Sequence, residues 1–219
     1  MPQQKESLQK LYLEQLRDLF SAEDQILEAL PKMTKQTTHA ELKRAFQEHY
    51  QQTEQQVQRL QRIFDDLGVS PEGEECEGMK GLLKEGEKTM DEFQDSDVLD
   101  AALIAAAQRV EHYEMAGYGC ARTYAHRLNR PDEARLLQET LDEEGRADHR
   151  LTEIAEAHVN DDARSEADLH QPAAAKRLRY VDGRQLDYRR LSDGTLEVRN
   201  DADDKLGVFD GLMWETMNR

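Results

Sequence analysis

The sequence predicts an all-α fold, a four-helix bundle with one long crossover connection, followed by a short β-rich appendage. Hydrophobic residues recur at helical spacing through most of residues 1–160. They make up 37% of the chain, which suffices for a helical core and is low for a β-sandwich. The charge pattern changes near residue 160, because residues 1–163 hold 19 basic and 35 acidic side chains, whereas residues 164–219 hold 10 and 11.

This change in composition divides the 219 residues into three parts. We predict a helical bundle over 1–160, a linker over 161–178 and a small β-rich tail over 179–219. The tail contains two Asp-Gly dipeptides, at 182–183 and 193–194, which are typical of tight hairpin turns. With few apolar side chains, it has little material for a core of its own.

Four long helices are predicted in the first part, over 5–37, 38–67, 96–127 and 131–159. Thr38 and Glu41 form a capping-box pattern at the start of the second helix. Gly68 is a suitable residue for its end, and Pro131 suits the first turn of the fourth helix. Pro31 lies inside the first helix and is expected to bend it, because its ring nitrogen carries no proton to donate.

The connection between the second and third helices is unusually long. Residues 69–95 are expected to carry one short helix and to cross the bundle if the third helix runs parallel to the second. Two helical hairpins joined by such a connection form the ferritin-like arrangement.

Several acidic residues lie where the helical pattern expects apolar ones. Glu23, Glu111, Glu114 and Glu144 lie on the inward stripes of three helices, and Asp148 follows Glu144 by four residues. An isolated ionised carboxylate in an apolar core is costly. No matching set of inward Lys or Arg is found. One such residue alone is more often a boundary residue, but three helices that place acids at similar depth favour a metal site.

Oxygen-rich coordination suits iron or manganese. The second helix contributes no inward carboxylate. Its stripe passes instead through His49 and Thr53, with Gln52 and Gln56 alongside, and a glutamine carbonyl is only a weak neutral ligand. His49 is either a metal ligand or a hydrogen-bonded core histidine. The many glutamines of this helix are interpreted as a solvated face: Gln47, Gln51, Gln52, Gln55, Gln56 and Gln58.

Three segments carry a resemblance to a known family: LFSAEDQIL at 19–27, DAALIAAAQRVEHYE at 100–114 and LQETLDEE at 137–144. Over about residues 8–160 the chain resembles the YciF-like family of bacterial stress proteins. The resemblance implies a ferritin-like bundle, usually dimeric, with a di-metal centre and a poorly defined reaction.

The resemblance also implies a role for each acid. Glu23 is similar to the family's first-helix ligand, Glu111 and Glu114 to its third-helix pair, and Glu144 to its fourth-helix ligand. A histidine is typical three residues after the last ligand in rubrerythrin-like proteins, whereas this chain has Ala there, followed by Asp148.

The second helix departs from the family pattern. Relatives typically read H-L-E-E-T, whereas this chain reads HYQQT from His49, so Gln51 and Gln52 replace both acids. A complete two-metal site and a single or weakened one therefore stay open. In the tail, residues 206–212 (LGVFDGL) resemble a turn of PRC-barrel-like β-domains.

Two functions follow from these observations. The first is a metal-dependent redox protein that holds iron or manganese and oxidises iron or consumes peroxide or O₂, with His49 or Asp148 completing the ligand set. The second is a non-catalytic, metal-poor stress protein that acts through its dimer surface and tail. We expect a homodimer and a protein partner for the tail.

Composition excludes other classes. The net charge of −17 disfavours nucleic acid, whose phosphates need clustered Lys and Arg. No stretch approaches the ~20 apolar residues of a membrane span. The first residues lack the apolar segment of a secretory signal, so a cytoplasmic location is expected.

Overall fold

A computed structural model describes residues 7–94, 96–164, 176–179, 185–190, 195–200 and 205–209. The chain divides into two compact units, Met1–Arg164 and Ser165–Arg219.

The first unit is a helical bundle, which confirms the predicted class of this part. Its helices are α1 (Leu8–Gln36), α2 (Ala40–Leu67), α3 (Glu77–Phe93), α4 (Leu99–Arg127) and α5 (Pro131–Ile154). A π-helical turn (Ala155–Val159) extends α5 into the short α6 (Asn160–Asp162). The helix predicted inside the connection is α3, and α1 continues through Pro31 to Gln36. No helix among these described residues is both long and apolar enough to cross a lipid bilayer.

Two hydrophobic clusters lie at opposite ends of the bundle and reveal the helix directions. The N-terminal halves of α1 and α5 pack in one cluster with the C-terminal halves of α2 and α4. The other ends of the same four helices pack in the second cluster. Therefore α2 and α4 are parallel, α1 and α5 run opposite to them, and the connection that contains α3 crosses the bundle, as in ferritin-like folds.

The junction between α1 and α2 differs from the sequence prediction. The N-cap of α2 is His39, whose Nδ1 accepts from the Leu42 amide at 3.4 Å, and Thr38 does not cap the helix. Thr38 instead donates its hydroxyl proton to Asp100 Oδ2 at 2.6 Å, and the amide of His39 donates to the same oxygen at 2.9 Å. The Thr38 hydroxyl, which the capping-box pattern had assigned to the start of α2, thus bonds to Asp100 on α4.

In the second unit, the described backbone segments are the strands β1 (Lys176–Arg179), β2 (Gln185–Arg190), β3 (Leu196–Asn200) and β4 (Lys205–Phe209). They pair antiparallel in the order β1-β2-β3-β4, with an irregularity between Val198 and Arg199. Of the predicted linker over 161–178, residues 161–164 belong to the first unit and residues 176–178 to β1. Residues 165–175 lie outside the described part of the chain.

Candidate metal centre

A layer of polar side chains separates the two hydrophobic clusters of the bundle. Every helix of the four-helix core contributes to it, and each contributing side chain is at most 7% exposed. The layer consists of Glu23 from α1, His49, Thr53 and Gln56 from α2, Glu111 and Glu114 from α4, and Thr140 and Glu144 from α5. Since the clusters on either side exclude water, this layer has the low dielectric of a protein interior.

Four of these side chains converge on one point. His49, Glu111, Glu114 and Glu144 each offer one ligand atom, and these atoms all lie within 4.8 Å of one another. The Nε2 atom of His49 is 3.5 Å from Glu111 Oε1. The helical pattern had singled out all four residues, and the fold brings them together from three helices.

Glu23 borders this group on the side of α1. It is completely buried, and its Oε1 accepts a hydrogen bond from the Tyr118 hydroxyl. Its Oε2 has no hydrogen-bond partner. Burial is the largest cause of the raised pKa of Glu114, and the charge of Glu23 is the second largest. The two carboxyls are therefore close enough to interact electrostatically.

The structure does not bring Asp148 into the group. Its carboxylate is partly exposed and accepts a hydrogen bond from Gln108 Nε2 at 3.1 Å. It also faces His112 Nε2 at 3.4 Å. Asp148 therefore lies toward the outer side of α4, among partners that satisfy it without a metal.

Burial shifts the protonation of the whole layer toward neutral forms. It raises the pKa of Glu23, Glu111 and Glu114 well above the usual range, and the charges of neighbouring glutamates add to the effect. The pKa of Glu144 rises to about 7, mainly through burial. Burial also lowers the pKa of His49 to about 4. At neutral pH, His49 is therefore an uncharged imidazole, the form that binds metals.

Unpartnered polar atoms mark the layer as a place for a cation. Buried atoms without a hydrogen-bond partner are Glu23 Oε2, both ring nitrogens of His49, Gln56 Oε1, Glu111 Oε2, Glu114 Oε2 and Glu144 Oε2. An unsatisfied buried polar atom costs about 1–3 kcal/mol, and native proteins rarely leave several together. The donor set of carboxylates and one imidazole fits iron or manganese.

A nearby guanidinium does not take the cation's place. Arg59 NH2 donates to Glu143 Oε1 at 2.8 Å, and Arg59 NH1 donates to Thr140 Oγ1 at 3.2 Å. The charge of Arg59 lowers the pKa of Glu144 and of Glu23, but for both carboxyls it is the weakest of the named causes. The glutamates of the layer thus remain without a paired arginine among the described residues.

Gln56, which lies alongside the stripe of His49 and Thr53, belongs to the site, so its assignment to a solvated face was wrong. It is completely buried, and its Nε2 donates to Glu144 Oε1 and, at 3.2 Å, to Glu143 Oε2. The signal was present, because Gln56 follows His49 by seven residues and Thr53 by three, on one helical stripe. By contrast, Gln51 is exposed and is not part of the layer.

The comparisons cover the first unit. A family model described as a domain of unknown function, DUF892, matches residues 7–164. Protein YciF of Escherichia coli K12 is 36% identical over 162 residues, which are 74% of this chain and 98% of YciF.

Two solved structures are similar as well. The crystal structure of the E. coli stress protein YciF aligns with a TM-score of 0.68 at 36% identity and covers 71% of this chain and 98% of that one. YcfI from Rhodopseudomonas palustris aligns with a TM-score of 0.66 at 40% identity, over 69% and 97% of the two chains. The family model ends at residue 164, so the PRC-barrel-like resemblance of the tail has no support from these comparisons.

Proposed function

The chain belongs to the DUF892 family, as its likeness to YciF had predicted, and from this premise we propose that its bundle binds redox metal ions in a stress response. The observation that carries the proposal is the group of four buried ligand atoms within 4.8 Å of one another. The stress role rests on the similarity to YciF, which is a stress protein of E. coli.

His49, Glu111, Glu114 and Glu144 would hold one ion. Glu23, with its unpartnered Oε2 beside Glu114, would help to hold a second. Iron or manganese bound here would supply electron transfer to O₂ or peroxide. This assignment needs neither Asp148 nor an acid on the second helix. Of the two glutamines that depart from the family pattern, Gln51 is exposed and Gln52 lies beside His49, so four carboxylates and one imidazole are the ligands that this chain offers.

The residues around the ligands have definite tasks. The Tyr118 hydroxyl orients Glu23 through its hydrogen bond to Oε1. Gln56 holds Glu144 in the same way through its Nε2. Such supporting hydrogen bonds fix the direction of a ligand oxygen before an ion arrives. The hydrophobic clusters above and below keep bulk water out of the layer.

Elemental analysis of protein purified without chelators tests the proposal. We expect iron or manganese in the parent protein and its loss from a Glu111→Gln/Glu114→Gln variant, while Glu54→Gln, an exposed change on α2, retains it. Added Mn²⁺ at 100 times its dissociation constant should stabilise the metal-free parent by about 2.7 kcal/mol. A parent protein that contains no metal and does not respond to Fe²⁺ or Mn²⁺ would favour the non-catalytic alternative.

We also propose that the protein is a homodimer and that its tail binds a protein partner. Leu8 and Leu11 on α1 are large apolar side chains that are 37% and 46% exposed, and a second copy of the chain could cover them. Light scattering coupled to gel filtration would give the mass, and a monomer would contradict the dimer.

A further inference from the structure

A cavity of about 210 Å³ leads from the surface to the candidate metal centre between α2 and α5. Its inner wall includes His49 and Glu111, both members of the four-residue group. Its outer wall includes the exposed side chains of Glu48 and Arg146. A cavity of this volume admits a small molecule of a few heavy atoms.

The inner end of the cavity carries unused hydrogen-bonding capacity. His49 is 7% exposed, neither of its ring nitrogens makes a well-formed hydrogen bond, and the Gln52 side chain lies close enough to raise its pKa against the effect of burial. The wall between the inner end and the mouth combines four apolar side chains with the amide of Gln52; the apolar side chains are those of Ala45, Phe46, Ala147 and Leu151. A pocket with apolar walls and a few convergent polar atoms is typical of small-molecule sites.

The charges at the mouth distinguish between possible occupants. Glu143 is held by Arg59, and Glu48 is paired with Arg150. Both carboxylates at the mouth are thus neutralised by an arginine, whereas Arg146 has no ion pair among the described residues. A free guanidinium at this position is notable on a chain with net charge −17.

We propose that this cavity binds a small anion beside the metal centre and that Arg146 attracts and holds it. The inference rests on the proposed function, because the anion would meet the ions at the His49 end. Cations are disfavoured at this entrance, because the positive charge at its mouth repels them. A guanidinium also fits small oxyanions and pseudohalides through paired N–H donors.

Cobalt(II) and azide provide a test that does not depend on turnover. Cobalt(II) takes carboxylate and imidazole ligands, and its visible absorption reports a change in its ligands. We expect azide to change the spectrum of the Co²⁺-loaded parent saturably. Arg146→Ala should weaken azide binding by about tenfold, as the loss of one charge-assisted hydrogen bond predicts, and Arg146→Lys should restore part of it.

Two further variants separate the cavity from general charge effects. Ala147→Leu adds bulk to the cavity wall and should abolish the azide response while Co²⁺ binding persists. Arg62→Ala, which removes an exposed charge on α2 outside the cavity lining, should bind azide as the parent does. Melting curves confirm that each variant is folded, and Arg146 is exposed, so its removal does not threaten the core.

The possible results separate the two proposals. Co²⁺ binding without any azide response, or equal azide affinity in the parent, Arg146→Ala and Ala147→Leu, would overturn the anion site and leave the metal site standing. Failure of the parent to bind Co²⁺ would overturn the proposed function and this inference together.

Discussion

Replacing Glu144 by glutamine should stabilise the metal-free protein at neutral pH. Glu144 is completely buried, and its pKa of about 7 lies above the usual 4.5. Folding at neutral pH therefore forces this carboxyl either to stay ionised in the interior or to take up a proton. Glu144→Gln keeps an oxygen that can accept the hydrogen bond from Gln56 Nε2, but it removes the charge.

The magnitude follows from the displaced pKa. One pKa unit is worth about 1.36 kcal/mol, so the rise from 4.5 to about 7 costs about 3 kcal/mol once the pH exceeds 7. Because the folded pKa is raised, the parent has its full stability below pH 4.5 and loses it as the pH rises to 7. The variant lacks this loss. Its advantage should be about 3 kcal/mol at pH 7.5 and below about 1 kcal/mol at pH 5.

Thermal or denaturant unfolding in the presence of a chelator measures this difference. For a chain of this size, 3 kcal/mol corresponds to roughly 6–12 °C in Tm. Glu153→Gln, an exposed change on the same helix, serves as the control and should shift Tm little at either pH. With Mn²⁺ added at about 1,000 times the dissociation constant of the parent, the order should reverse, because the parent gains about 4.1 kcal/mol of binding energy that Glu144→Gln has lost. If Glu144→Gln is no more stable than the parent at pH 7.5 without metal, the reasoning about buried charge is wrong.

Two further predictions concern packing and helix ends. Gly117→Ala should destabilise the protein by about 1–3 kcal/mol, since an added Cβ would lie 2.7 Å from Leu19 Cδ2. Gly119→Ala should instead stabilise α4 by up to about 1 kcal/mol, because its added Cβ meets no other atom within 4 Å. Equal Tm values for the two variants would refute this contrast. Asp100→Ala should lower the free energy of unfolding by about 1–3 kcal/mol, measured by urea unfolding, because three donors in the loop between α1 and α2 lose their acceptor. A decrease no larger than that of Asp97→Ala, an exposed change, would show that Asp100 does not anchor this loop.

The helices and most of the site could be predicted because one signal governs both. A stripe at helical spacing sets the limits of α1, α2, α4 and α5 to within a few residues, and it also identifies which acids point inward. Glu23, Glu111, Glu114 and Glu144 interrupt apolar stripes, so their burial followed from position alone.

The residues that were predicted wrongly owe their positions to contacts with other helices, which the hydrophobic pattern of one helix does not reveal. Asp148 follows Glu144 by four residues, and with 3.6 residues per turn this step rotates the side chain by about 40°. That rotation suffices to bring it to Gln108 and His112 and away from the centre. The burial of Gln56 depends on its partner Glu144, which lies on another helix, 88 positions away in sequence. Likewise, Thr38 does not cap α2, because its hydroxyl is turned to donate to Asp100, a residue 62 positions away in sequence.

The polar layer also determines how the helices align along the bundle axis. Two apolar clusters alone would tolerate a shift of one helix against its neighbours, because hydrophobic contacts are non-directional. A shift of a single turn would move a buried carboxyl such as Glu23 into an apolar cluster, at a cost that no packing gain offsets. The same groups that weaken the metal-free bundle thus fix its register, a use of buried polar residues known from coiled coils. A bound cation would remove the cost and keep the register, so metal binding and correct helix alignment would favour the same arrangement.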